Sequence, residues 1–148
     1  MKKVIFVCHG NICRSPMAEF IFRAMLKDRG LEGKYEVSSA AVSCEEIGNP
    51  VYPPARAVLA EHGISCRGKT ARRITDDDYY DADLIIAMDS SNLRYLSRLL
   101  PSNDKTHLLL SFAGESRDVA DPWYTDDFET CFDDIVCGCS ALLDWLEG

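Results

Sequence analysis

Nowhere do the 148 residues hold an apolar run approaching the roughly 20 residues that a membrane-spanning helix needs, so no membrane partner is expected. Positive charge is also scarce. Against 24 Asp and Glu there are 16 Lys and Arg, a net charge of −8, and such a surface repels a phosphate backbone, so no nucleic-acid partner is expected either. The seven cysteines include no CxxC pair, and none of the three histidines stands at ligand spacing from them, which argues against a metal site. An odd cysteine count without a disulfide framework points to a reducing compartment and a cytoplasmic location. Met1-Lys2-Lys3 and the apolar run to Val7 imitate the start of a signal peptide, but His9, Asn11 and Arg14 interrupt it too early. Repeats, linkers and low-complexity segments are absent, and residues 1–148 are expected to form a single domain with a proper core.

What is present is concentrated in Val7-Cys8-His9-Gly10-Asn11-Ile12-Cys13-Arg14-Ser15-Pro16. Val4–Val7 reads as a buried strand, while Ser15 as N-cap, Pro16 at N1 and the apolar positions Met17, Phe20, Ile21, Ala24 and Met25 read as a helix. The loop from Cys8 to Arg14 then lies over a helix N-terminus. Unpaired N–H groups and the helix dipole favour an anion there, such as inorganic phosphate or another oxyanion. In the same field, with Arg14 adjacent, Cys8 should be a thiolate near neutral pH. The planar fork of Arg14 can hold two phosphate oxygens at once.

The spacing Cys(x)5Arg-Ser resembles the phosphate loop of protein tyrosine phosphatases, and its place after the first strand resembles the low-molecular-weight family among them. Further segments look similar in family order: Ser39-Ala40-Ala41-Val42-Ser43, Glu46-Ile47-Gly48-Asn49-Pro50, Ala71-Arg72, Ala87-Met88-Asp89-Ser90-Ser91-Asn92-Leu93 and Asp121-Pro122-Trp123-Tyr124. The resemblance implies hydrolysis of phosphotyrosine in protein substrates, and of small aryl phosphates, with no cofactor and no metal. Cys8 would attack phosphorus to form a cysteinyl-phosphate. Arg14 and the loop amides of His9, Gly10, Asn11, Ile12 and Cys13 would hold the equatorial oxygens. Asp121 would protonate the leaving phenolate and then serve as base for the attacking water. Ser15 is placed to donate its hydroxyl to the Cys8 sulfur, and Asn11, tolerant of left-handed backbone, fixes the loop through a bond to Ser39 that the resemblance implies. Cys13 is a candidate redox partner for Cys8, as the family pairs these positions.

Trp123 and Tyr124 would line one wall of the cleft and suit an aromatic ring. Ile12 also favours an aryl phosphate, since related arginine phosphatases carry threonine there. Glu45 stands where many members have an aromatic residue, His9 where leucine is common and Lys69 where histidine is common. Glu45 would disfavour acidic peptide flanks, and His9 at mildly acid pH would favour them. Asp118, three residues before Asp121, is the other candidate for the acid.

Each feature alone has a plainer reading. A cysteine ending a strand is usually a small apolar residue, and Arg-Ser at a helix start is usually a cap with a solvated charge. Gly63-Ile64-Ser65-Cys66-Arg67-Gly68-Lys69-Thr70 matches the nucleotide-binding pattern GxxxxGK[ST], with Leu84–Asp89 as a matching acidic strand. The preceding residues Ala55–His62 read as a helix ending at a glycine, however, and Thr75-Asp76-Asp77-Asp78 as a capping box opening the next helix, so no helix N-terminus serves Lys69. Arsenate reductases that share the loop relay a disulfide through cysteines after the third strand, and Asp89–Pro101 has none. A Cys8–His9 protease pair lacks an orienting third group.

Strands are expected at Val4–Val7, Tyr35–Ala40, Leu84–Met88 and Thr106–Phe112, and helices at Pro16–Arg29, Pro53–His62, Thr75–Tyr80, Asn92–Leu100 and Asp126–Leu146. This alternation implies an α/β fold with a parallel, doubly wound sheet flanked by helices. The resemblance adds the strand order 2-1-3-4, with the phosphate loop after strand 1. Ala113–Thr125, the longest stretch without a predicted element, carries the expected acid and should be the most mobile part.

Overall fold

In the computed structural model, which describes residues 1–148, the apolar opening of the chain becomes the second strand in a four-stranded sheet. The strands β1 (Lys2–Cys8), β2 (Tyr35–Ala41), β3 (Leu84–Ala87) and β4 (Thr106–Leu108) run parallel in the order β2-β1-β3-β4. Val4 to Cys8 are all buried, as a strand covered on both faces requires. Alternation divides them: Val4, Phe6 and Cys8 join the larger core, whereas Ile5 and Val7 join the smaller one on the opposite face. The helices α1 (Arg14–Asp28), α2 (Pro53–Glu61) and α6 (Phe128–Glu147) supply the larger core; α3 (Asp76–Asp81) and α4 (Ser90–Leu99) cover the other face. The C-terminal end of β1 thus opens between its neighbours, where parallel sheets place their sites.

Several boundaries differ from the sequence reading. The fourth strand ends at Leu108, and Leu109–Ala113 form a 3-10 turn, because Leu109 and Leu110 turn inward to pack in the larger core and the Ser111 hydroxyl bonds the Leu108 carbonyl at 2.6 Å. Helix α1 starts at Arg14, with Cys13 in the cap position, so Ser15 is inside the first turn and caps nothing. Pro16 is tolerated there because a first-turn N–H has no helical partner in any case. Helix α4 starts at Ser90, since the Asp89 carboxylate accepts from Asn92 N–H at 2.7 Å. A short helix, α5 (Pro122–Thr125), stands within the stretch expected to be irregular, capped by Asp121. Asp126 adopts a left-handed φ of 58° and ends α5, so the last helix begins at Phe128 with Asp127 as its cap. The Thr75–Asp78 capping box and the left-handed Gly63 after α2 stand as expected.

Helix α6 crosses the 3-10 turn at Gly138, where an added Cβ would lie 2.5 Å from Leu109 Cγ and 3.0 Å from both its methyl carbons. Leu109 is fully buried and has little room to yield. Glycine to alanine inside a helix ordinarily gains up to about 1 kcal/mol. Here Gly138→Ala should instead lose about 1–3 kcal/mol through overpacking, read as a lower urea midpoint with unchanged slope; a stabilised variant would contradict this packing.

Candidate active site

The loop after β1 curls because Asn11 holds a left-handed φ of 60°, which turns its backbone N–H back onto the Cys8 sulfur at 3.3 Å. Its side chain points beneath the loop, donating to Ser15 Oγ at 2.7 Å and Ser39 Oγ at 3.0 Å while its Oδ1 accepts from Arg72 N–H at 3.2 Å. Ser15 Oγ lies 3.0 Å from Cys8 Sγ. Sulfur therefore meets two polar groups from below and the first turn of α1 beside them, where no side chain caps the helix.

Arg14 is 2% exposed, which for a permanent cation demands partners. Its Nη1 donates to Asp89 Oδ2 at 2.6 Å and to the Val119 carbonyl at 2.9 Å, and its Nη2 reaches Asp121 Oδ2 at 3.4 Å. Burial works against this charge, but facing Cys8, Asp89 and Asp121 more than offset it and raise the Arg14 pKa. Asp121 spends its other oxygen on the N–H of Trp123 at 3.0 Å, capping α5. Asp118 turns away to Ser90, accepting from its backbone N–H and hydroxyl at 3.1 Å each, so of the two carboxylates it is Asp121 that faces the cleft.

The cleft has a volume of about 210 Å³ and is lined by Cys8, His9, Gly10, Ile12, Cys13 and Arg14 below, Glu45 and Glu46 on one side, and Asp121, Trp123 and Tyr124 on the other. The side chains of Asn11 and Ser15 lie underneath the loop and are buried, so neither lines the cleft. Trp123 leans on Tyr52 with ring centres 5.0 Å apart, and Tyr124 stands almost free. His9 Nε2 lies 3.2 Å from Glu45 Oε2, so the two departures at the rim partly offset one another when His9 is charged. Burial pushes the Cys13 thiol pKa up, helped by the neighbouring Cys8 charge, and burial carries Cys131 to about 12. Both are therefore protonated thiols at neutral pH.

Sequence reasoning passed over Asp89 as the partner of Arg14. Its segment was noticed, but the pairing joins residues 75 apart and has no local pattern. The lysine of the nucleotide-binding pattern is turned inward: Lys69 Nζ donates to the Ser39 carbonyl at 3.0 Å, and no strand-to-helix loop surrounds it. Asp89→Ala should remove both the α4 cap and the buried counter-charge, lowering stability by about 3 kcal/mol in chemical unfolding. Asp89→Asn, which keeps a cap acceptor, should recover about 1 kcal/mol of that; equal losses would mean that the Arg14 pairing carries all of it.

The family model described as low molecular weight phosphotyrosine protein phosphatase matches residues 3–147. The chain is 43% identical over 147 residues to the low molecular weight protein-tyrosine-phosphatase YfkJ of Bacillus subtilis, covering 97% of this chain and 94% of that one. It is 40% identical over 150 residues to the human low molecular weight phosphotyrosine protein phosphatase, with the same coverage of each. The crystal structure of the Bacillus protein superposes with a TM-score of 0.96 at 41% identity, covering 99% and 95% of the two chains. A Drosophila arginine phosphatase superposes at 0.90 with 33% identity, covering 100% and 99%.

Proposed function

The chain belongs to the low molecular weight phosphotyrosine protein phosphatase family, and we propose that it hydrolyses phosphotyrosine in proteins with Cys8 as nucleophile, Arg14 as phosphate clamp and Asp121 as general acid and base. The observation that carries these roles is the convergence of Cys8, Arg14 and Asp121 on one cleft under the uncapped first turn of α1. A phosphate dianion there meets the loop N–H groups and Nη2 of Arg14, while Nη1 stays anchored to Asp89 and Val119. The sulfur displaces the phenolic oxygen, Asp121 gives that oxygen its proton, and a cysteinyl-phosphate is left. Water then attacks phosphorus as the Asp121 carboxylate takes its proton, releasing phosphate and the thiolate. Ile12 at the cleft floor and Trp123 with Tyr124 at its wall supply apolar surface for an aryl ring, which favours phosphotyrosine over phosphoarginine.

No helix is long and apolar enough to cross a membrane. Seven free thiols support a reducing, cytoplasmic setting, and residues 1–148 act as one catalytic domain, for which the acidic surface makes nucleic acid a poor partner. In that setting Cys13 is the redox partner of Cys8. A peroxide oxidises the Cys8 thiolate to a sulfenic acid, the Cys13 thiol attacks that sulfur, and water leaves as the disulfide forms.

Hydrolysis of para-nitrophenyl phosphate and a phosphotyrosine peptide in EDTA tests the central reading. Cys8→Ser should abolish both, and Asp121→Asn should lower kcat on the peptide by about two to four orders of magnitude, less on the nitrophenyl ester with its good leaving group. Turnover that survives Cys8→Ser would overturn the assignment. After brief exposure to peroxide, dithiothreitol should restore the unaltered enzyme but not Cys13→Ser, whose Cys8 proceeds to irreversible acids; full recovery of that variant would remove Cys13 from the redox role.

A further inference from the structure

Asp121, read as the general acid, stands in a stretch without regular structure. Residues 114–121 form neither helix nor strand, and the carboxylate meets the N–H of its own short helix and the more distant Arg14. Where the carboxylate sits therefore follows from how the chain enters it. Val119, two residues earlier, is buried, and its N–H donates to the Met88 carbonyl at 2.9 Å. Its own carbonyl is taken by Arg14, the cation that a bound phosphate also draws. That leaves the Met88 bond as the tether independent of the ligand. One such bond fixes where a chain passes but not its direction, since each residue keeps two soft dihedrals.

Direction is supplied by the two residues before it. Arg117 gives both arms of its guanidinium to Asp134 on α6, Nη1 to Oδ2 and Nη2 to Oδ1 at 2.9 Å each, and its Nη2 also lies 3.1 Å from Glu115 Oε2. A two-point bond of this kind fixes the relative orientation of both partners. Asp118 turns the other way, and its Oδ1 holds the first N–H of α4, at Ser90, together with the Ser90 hydroxyl. That N–H has no partner within its helix, so a carboxylate suits it. Helices α6 and α4 cover opposite faces of the sheet. Consecutive side chains thus reach from the end of β3 to both layers.

We infer that Arg117 and Asp118 are positioning residues, which strap the chain between α6 and α4 and so set the direction in which it runs into Asp121. Asp118, the other candidate acid on sequence grounds, serves the acid instead of being it. Neither residue lines the cleft. Both are exposed, and ion pairs at a surface add little to stability, so what these contacts contribute is orientation. Proton transfer to the phenolic oxygen needs the Asp121 carboxyl within hydrogen-bond reach of it. A misplacement of about 1 Å can cost roughly a hundredfold in rate.

The inference rests on Asp121 being the acid, and comparing two leaving groups separates its failure from that of the assignment. Phenyl phosphate and para-nitrophenyl phosphate are of similar size, but the nitrophenol departs with far less help from an acid. The quantity to measure on each is kcat/KM, which reports the first chemical step. Arg117→Ala with Asp118→Ala should lower it about tenfold or more on phenyl phosphate and by no more than about threefold on the nitrophenyl ester, with the urea midpoint nearly unmoved. Arg117→Lys with Asp118→Asn keeps a donor toward Asp134 and an acceptor toward Ser90. This pair should bring phenyl phosphate back to within about threefold of the unaltered chain. An equal fall on both substrates, no fall on either, or no recovery in the conservative pair overturns the positioning role. Asp121→Asn is the reference, and should lose far more on phenyl phosphate than on the nitrophenyl ester. If it lowers both alike, the acid assignment fails and the inference falls with it.

Discussion

The site depends on a single buried cation. Arg14 opens α1, yet its guanidinium is held by Asp89 at the end of β3 and by a carbonyl of the segment leading to Asp121. Three regions far apart in the chain are thereby fastened at one point. A permanent charge that cannot escape to water forces anionic or carbonyl partners to converge on it, and the cleft is the space left where one more anion can join them.

The parallel sheet makes that convergence possible. Because β1 is flanked by β2 and β3, the loops leaving all three strands emerge at one edge, bringing Cys8, the Ser39 region and Asp89 together before any side chain is chosen. Alternation along β1 then sends Cys8 to the face that α1 and α6 cover, away from α4. Helix α1 starts directly at Arg14, so its uncapped first turn and the Cys8 sulfur at the end of β1 meet at one cleft.

Much of this was legible in the residues. Val4–Val7, the Cys(x)5Arg spacing and Pro16 are local signals, and they marked the strand, loop and helix that the structure shows. The Asp-Pro-aromatic segment also marked a stretch that lines the cleft, although not the turn of helix that Pro122 begins. What escaped was non-local or backbone-borne. Val119 holds Arg14 with a carbonyl, a group that every residue possesses. The Ser15 hydroxyl has the chemistry of a cap, and only the curl at Asn11, which brings sulfur within 3.0 Å of it, diverts it to Cys8. Lys69 fits a nucleotide-binding pattern in one dimension and a buried ion pair in three, because a pattern does not say which way a side chain points.

The two oxygens of Asp121 occupy unequal positions. Oδ1 accepts the Trp123 N–H at 3.0 Å at the start of α5. Oδ2 has only the distant Nη2 of Arg14, at 3.4 Å. Oδ2 is thus the less firmly held of the two and the one that points toward Arg14. A helix cap thus makes an otherwise symmetric carboxylate unequal, fixing Oδ1 to the backbone and leaving Oδ2 turned to Arg14 in the cleft.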